Sequence, residues 1–188
     1  MAVQWAAPAC DRERAHEMLE RMARGSLISW RRLISRKAFR SRLELVYLPC
    51  CQVLLSDTED QSVGFVLVNG FARQAQQVAS GIPAIGDCAD LRGFRYPLSE
   101  TETLEIARHA FISWKLNRVS ARQRDSADFV IGDIVHYPFW ARYAESKTGR
   151  VSLDLLDGIA ERPGGVMMKQ AYLEALKDGA SILGGTHS

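Results

Sequence analysis

The chain has 188 residues, 47% of them hydrophobic and 24% charged, which suffices to bury a core and excludes disordered, collagenous and fibrous classes. A formal net charge of +2 lacks the strong basic excess of a nucleic-acid-binding domain, so nucleic acid is disfavoured as a partner. No apolar run approaches the roughly 20 residues that span a bilayer, and "MAVQWAAPACDRER" has no basic region leading into a sustained apolar segment, so the expected location is cytoplasmic, with a membrane approached only peripherally.

In chain order, the first element is a helix in which Asp11 is the N-cap and Ala15, Met18, Leu19 and Met22 share a face; Gly25 breaks it. Beyond Gly25, Leu27, Trp30, Ile34 and Ala38 predict a second helix or a continuation of the first. Residues 43 to 55 ("LELVYLPCCQVLL") and 63 to 68 ("VGFVLV") predict a hairpin joined through "SDTEDQ". The turn pair Asn69-Gly70 follows, and the Gly- and Pro-rich stretch that leads up to Pro97 is the linker candidate.

Ser99, with Glu102 three residues on, forms a capping box ahead of Leu104, Ala107, Phe111 and Trp114, which predicts the next helix. "FVIGDIVHYPFWARYA", the turn "ESKTGR" and "VSLDLLDG" predict a second hairpin. The last helix is expected around Val166, Met167, Ala171, Leu173 and Leu176, with Gly179 as its C-cap.

These parts occur in the same order twice. Trp30 corresponds to Trp114, Tyr47 or Leu48 to His136 or Tyr137, Pro49 to Pro138, and Asn69-Gly70 to Asp157-Gly158. Proline and turn glycine are 21 residues apart in the first half and 20 in the second, and the larger spacing difference upstream falls in a basic connector, where insertions cost little. The expected fold class is therefore α+β: an internal duplication of a helix plus antiparallel β-hairpin unit, with helices packed on one face of the sheet and a C-terminal helix. Repeat one covers residues 1–80, the linker 81–98, repeat two 99–162, and the C-terminal helix and tail 163–188. Each proline lacks an N–H and so marks an edge, a bulge or the start of a paired strand.

"VYLPCCQVLL…LVNG" and "IVHYPFWARYAESKTGRVSLDLLDG" resemble a hairpin pattern of largely uncharacterised bacterial proteins, in which a Tyr-x-Pro-Phe/Tyr-Trp strand precedes a Gly-containing turn and a strand ending in Asn/Asp-Gly. Several of those proteins carry zinc ribbons or membrane helices, and this chain has neither pattern. Cys50 and Cys51 stand where the second copy has Phe139 and Trp140. The resemblance implies a fold and no reaction.

Few residues invite chemistry. The four cysteines (Cys10, Cys50, Cys51, Cys88) form no C-x-x-C pair, and alternation along a strand sends at least one of Cys50 and Cys51 into the core, as a small hydrophobe. His109, His136, Asp133, Asp154 and Asp157 match no metal-ligand spacing, and His136 reads as a surface strand histidine. The "GG" of "RPGGVMMKQ" precedes a helix and reads as a plain loop-to-helix junction. No catalytic residue, metal or cofactor is expected.

Two surfaces are candidates for interaction. Tyr137, Phe139 and Trp140, with His136, suit the anchors of a protein interface, and the three aromatics fit a hydrophobic core equally well. Arg31, Arg32, Arg36, Lys37, Arg40 and Arg42 form a stretch without an acid, echoed by Lys115, Arg118, Arg122 and Arg124, which suits an anionic partner surface. The expected function is a non-enzymatic accessory or assembly subunit that binds a protein partner, with a membrane-associated complex as one setting. The alternatives are a small-ligand binder or enzyme with a pocket between the repeats, and anionic lipid or nucleic-acid binding through the basic face.

Overall fold

A computed structural model describes residues 3–25, 41–56, 62–78, 82, 84–85, 93–117, 128–145, 149 and 151–178. The expected helix around Trp30, the connector cations Arg31, Arg32, Arg36, Lys37 and Arg40, their counterparts Arg118, Arg122 and Arg124, and Gly179 lie outside the described residues.

The elements follow the order β1 (Val3–Ala6), α1 (Arg12–Gly25), β2 (Ser41–Ser56), β3 (Ser62–Asn69), β4 (Gln74–Val78), β5 (Ala84–Ile85), α2 (Glu100–Asn117), β6 (Asp128–Glu145), β7 (Val151–Asp157) and α3 (Val166–Lys177). The fold is α+β with one mixed sheet, ordered β4-β3-β2-β6-β1-β5, with β7 also on β6. β2 and β6, of 16 and 18 residues, pair antiparallel along nearly their whole length and form the spine. The outer edge of β6 serves two partners in succession: parallel β1 beside 134–136, then antiparallel β7 beside 139–145.

The prolines sit inside this spine. Pro49 lies opposite His136, Leu48 opposite Tyr137 and Tyr47 opposite Pro138. In an antiparallel pair a residue's N and C=O point to the same side. The Pro49 carbonyl accepts from Gly70 N–H at 3.3 Å and the Pro138 carbonyl from Gly158 N–H at 3.0 Å, so both prolines face away from the spine. Each missing N–H falls at a notch where the neighbouring strand has turned away, so no ladder bond is lost. The edge expected from sequence is thus local, and lies in the two innermost strands. A Cβ on Gly158 would stand 2.9 Å from the Pro138 carbonyl oxygen, so the close approach at that turn requires glycine.

Alternation along β2 separates two apolar faces. Leu43, Leu45, Val53 and Leu55 share one: Ala15 and Leu19 of α1 pack with Trp140 and Leu156 beside the first pair, and Ala107 of α2 packs with Val66 and Val68 beside the second. Leu48 and Cys50 face the other way, where Tyr137, Phe139 and Leu155 meet Ala171, Tyr172 and Ala175 of α3. The helices therefore do not all share a face, because α3 covers the side opposite α1 and α2. Of the residues that predicted α3, Val166, Met167, Leu173 and Leu176 are exposed and Ala171 is buried. Small alanines let α3 approach closely, and the Tyr172 hydroxyl is satisfied inside by Glu44 at 3.2 Å and by Tyr143.

The helix starts agree with the sequence reading. Arg14 N–H donates to Asp11 Oδ1 at 2.8 Å. Ser99 N–H donates to Glu102 Oε2 at 3.0 Å, and Glu102 N–H donates to Ser99 Oγ at 3.3 Å. Each helix reaches strands distant from it in sequence as well as near ones: α1 touches β6 and β7 besides Leu43 and Leu45 of β2, and α2 touches β2, β3 and β4 besides β6. An ion pair ties down each crossing, Arg14 to Glu161 at 2.8 Å and Glu102 to Arg73 at 2.7 Å. Both partners in the turns after the hairpins, Arg73 and Glu161, adopt left-handed backbone with φ of 50° and 51°.

A candidate binding cleft at the hairpin ends

The two hairpins end in matching turns. Asn69 Oδ1 accepts Ala72 N–H at 2.8 Å. Asp157 Oδ1 accepts the N–H groups of Ile159 and Ala160 at 2.9 and 2.8 Å, and the Tyr137 hydroxyl at 2.9 Å. Short acidic or amide side chains favour such local bonds, which explains their place before the turn glycine.

Between these ends opens a cleft of about 760 Å³. Cys50, Leu67 and Phe139 contribute its apolar lining, and Asn69, Tyr137 and Asp157 its polar groups. Gln74, Ala75, Gln76 and Gln77 of β4 all line it, as do Arg162 to Gly165 and Met168 of α3. Successive strand residues point to opposite faces, so four in a row can meet one cleft only if it follows the edge of the strand. β4 is the end of the sheet and pairs with β3 alone among the described residues.

The ladder fixes which β4 groups face outward. Gly70 N–H on the Pro49 carbonyl sets the phase of β2 with β3, so Asn69 and Leu67 turn their backbone groups toward β4. Their partners Gln74 and Gln76 face inward, and Ala75 presents its N–H and C=O to the cleft side.

The thiols are poor nucleophiles. Cys50 and Cys51 are both buried, on opposite faces, and burial raises their pKa values to about 12 and about 11. The Asn69 amide beside Cys50 opposes that rise without overcoming it. Among the described residues, no group of three histidine, cysteine or carboxylate side chains is placed to hold a metal ion.

The residues singled out as interface anchors are internal. Tyr137, Phe139 and Trp140 are buried, and Trp140 Nε1 donates to the Cys10 carbonyl at 3.2 Å. Aromatics beside the proline are core because both faces of the spine are covered there. His136 is fully buried, not a surface histidine: it stacks on Trp5 at a centroid distance of 4.1 Å, and neither ring nitrogen has a hydrogen-bond partner. Burial lowers its pKa to about 4. Of the six connector cations, Arg42 is described, paired with Glu44 at 3.1 Å in an exposed setting.

In sequence Asn69 is a turn landmark and Asp157 a turn landmark and a carboxylate without metal-ligand spacing, while β4 and Arg162 carry no site signal. The Asx-Gly pairs were the available signal for the first two; "QAQQV" has none of the β-branched or aromatic density that marks a strand.

The chain matches no protein-family model, no curated protein and no solved structure. Among the described residues, no helix is long and apolar enough to cross a membrane.

Proposed function

We propose that this chain is a non-enzymatic accessory or assembly subunit that takes an extended segment of a protein partner in the cleft along β4. The observation that carries the reading is the cleft's course along the outer edge of β4, which pairs with β3 alone among the described residues. Such an edge offers main-chain donors and acceptors to an incoming strand, while alternate side-chain positions supply specificity. Two further facts support binding over catalysis: the cleft's thiol is protonated at neutral pH, and its Asp157 is already held by three donors.

The scaffold for this cleft is, in our reading, an internally duplicated helix-plus-hairpin unit. Support comes from the paired prolines facing one another's neighbours, the two glycine N–H bonds to proline carbonyls, and the left-handed Arg73 and Glu161. The two crossing ion pairs occupy corresponding positions with their charges exchanged. In the duplicated arrangement the cleft lies between the units, where a pseudo-two-fold interface forms a natural groove.

The test is photo-crosslinking in cells, with a photoreactive residue at Gln76 in the cleft and, as a control, at exposed Glu105 of α2. A discrete adduct from Gln76, absent from Glu105 and abolished by Ala75→Pro, supports the reading. Equal adducts from both positions, or persistence of the adduct in Ala75→Pro, contradicts it.

The presence of Tyr137 and Cys50 in the cleft favours a second reading, a small-ligand site between the units. Native mass spectrometry separates the two. A stoichiometric small molecule retained by the purified protein, and lost in Asn69→Leu, would favour the second.

A further inference from the structure

Resting on the cleft reading above, we infer that the bound segment ends in a free main-chain carboxylate, held by the N-terminus of α3, Arg162 and Asn69. α3 has 12 residues and follows Gly165 as its N-cap, with no side-chain cap bond and no acid in its first turn. Its first intrahelical bond is donated by Lys169 to the Gly165 carbonyl, which leaves the N–H groups of Val166, Met167 and Met168 without helical acceptors. These groups and the helix dipole favour an anion at this end. Gly165 and Met168 line the cleft, so the free end of the helix opens onto it.

A second, independent feature points to a ligand. Asn69 is only 7% exposed, and its Oδ1 is occupied by Ala72 N–H, while its Nδ2 has the Cys50 thiol beside it and no oxygen acceptor. A buried donor without a good acceptor is costly, and a thiol is a weak acceptor. Asn69 lines the same cleft, so an oxygen-bearing ligand there satisfies the amide. Arg162, exposed on the cleft and in no ion pair among the described residues, supplies the cation.

The choice of a chain terminus follows from the edge of β4. A ligand that pairs with Ala75 through its main chain is an extended peptide, and the carboxylate that such a main chain carries by itself is its C-terminus. One segment then satisfies the strand edge, the buried amide and the helix end together. Asp157, the cleft's own carboxylate, does not oppose this strongly, because Tyr137, Ile159 and Ala160 already donate to it.

The probe is a random heptapeptide library prepared as free acids and, separately, as C-terminal amides, with binding measured to the full chain and to three variants. The free acids bind at least tenfold tighter than the amides. Val166→Asp places a competing carboxylate in the first turn of α3 and removes that preference, with the thermal midpoint unchanged or raised because an acid there suits the dipole. Arg162→Gln weakens binding of the acids alone, and Ala75→Pro weakens both forms. Equal binding of acids and amides overturns the carboxylate inference and leaves the cleft reading intact. Failure of both libraries to bind, or indifference to Ala75→Pro, overturns the cleft reading itself.

Discussion

Cys50 and Cys51 are adjacent in sequence but face opposite sides of the spine, and burial keeps both thiols protonated far above neutral pH. In the folded protein at pH 7.5, iodoacetamide therefore leaves Cys10, Cys50 and Cys51 unmodified over hours, and all three label promptly in denaturant; peptide mass spectrometry reads the difference. Rapid labelling of Cys50 in the native state would reverse the conclusion that the cleft thiol is inert. His136 makes a second prediction at this scale. Its folded-state pKa of about 4 lies below the ordinary 6.5, so the unfolded chain binds the proton first as pH falls. The stability that this histidine allows is present above pH 6.5 and is lost progressively toward pH 4, by about 3 kcal/mol in all. Urea unfolding as a function of pH should show that loss in the natural protein and a flatter profile in His136→Leu, which also removes two unpartnered ring nitrogens. Parallel profiles would show that His136 does not carry the acid sensitivity.

At the scale of elements, the helix ends were the most legible features, because capping is local chemistry. The Ser99 and Glu102 bonds form as their spacing requires, and they hold the Glu102 carboxyl down to about 2, with help from Arg73. Ser99→Ala should lower unfolding stability by about 1 kcal/mol, measured by chemical denaturation at neutral pH. The long hairpin strands were equally legible from their apolar density. β1 and β4 were not: "VQWA" is too short to show a period, and the glutamines of "QAQQV" hold strand geometry only because β3 provides a ladder. The facing of α3 was not legible for a related reason. Val166, Met167, Leu173 and Leu176 predict the helix by their spacing, but the space above Leu155 and Phe139 accepts alanines and one tyrosine whose hydroxyl reaches Glu44. The prolines and turn glycines were visible as landmarks, and only the register explained how prolines sit in central strands without losing a ladder bond. For the candidate site, the aromatic residues stood out in sequence because they are core, whereas Asn69 and Ala75 gave no comparable signal, because their importance lies in an amide without an oxygen acceptor and in the outer edge of β4.

The whole molecule is bound together by exchange. α1 reaches the hairpin of the second half and α2 that of the first, each while also packing on a strand of its own half, and the ion pairs Arg14 with Glu161 and Arg73 with Glu102 join the two crossings. α3 covers the opposite face over Leu155 and Tyr137 and leaves the cleft beside its first turn, where β4 ends the sheet. If a partner completes that edge, Ala75 is the residue whose amide reports it. In residue-resolved hydrogen exchange, the inward Gln76 amide should be protected in the free protein and the outward Ala75 amide should exchange quickly. Adding the partner captured at Gln76 should protect Ala75 at least tenfold, with Gln76 unchanged. An Ala75 amide that exchanges equally fast with and without the bound partner would contradict the account.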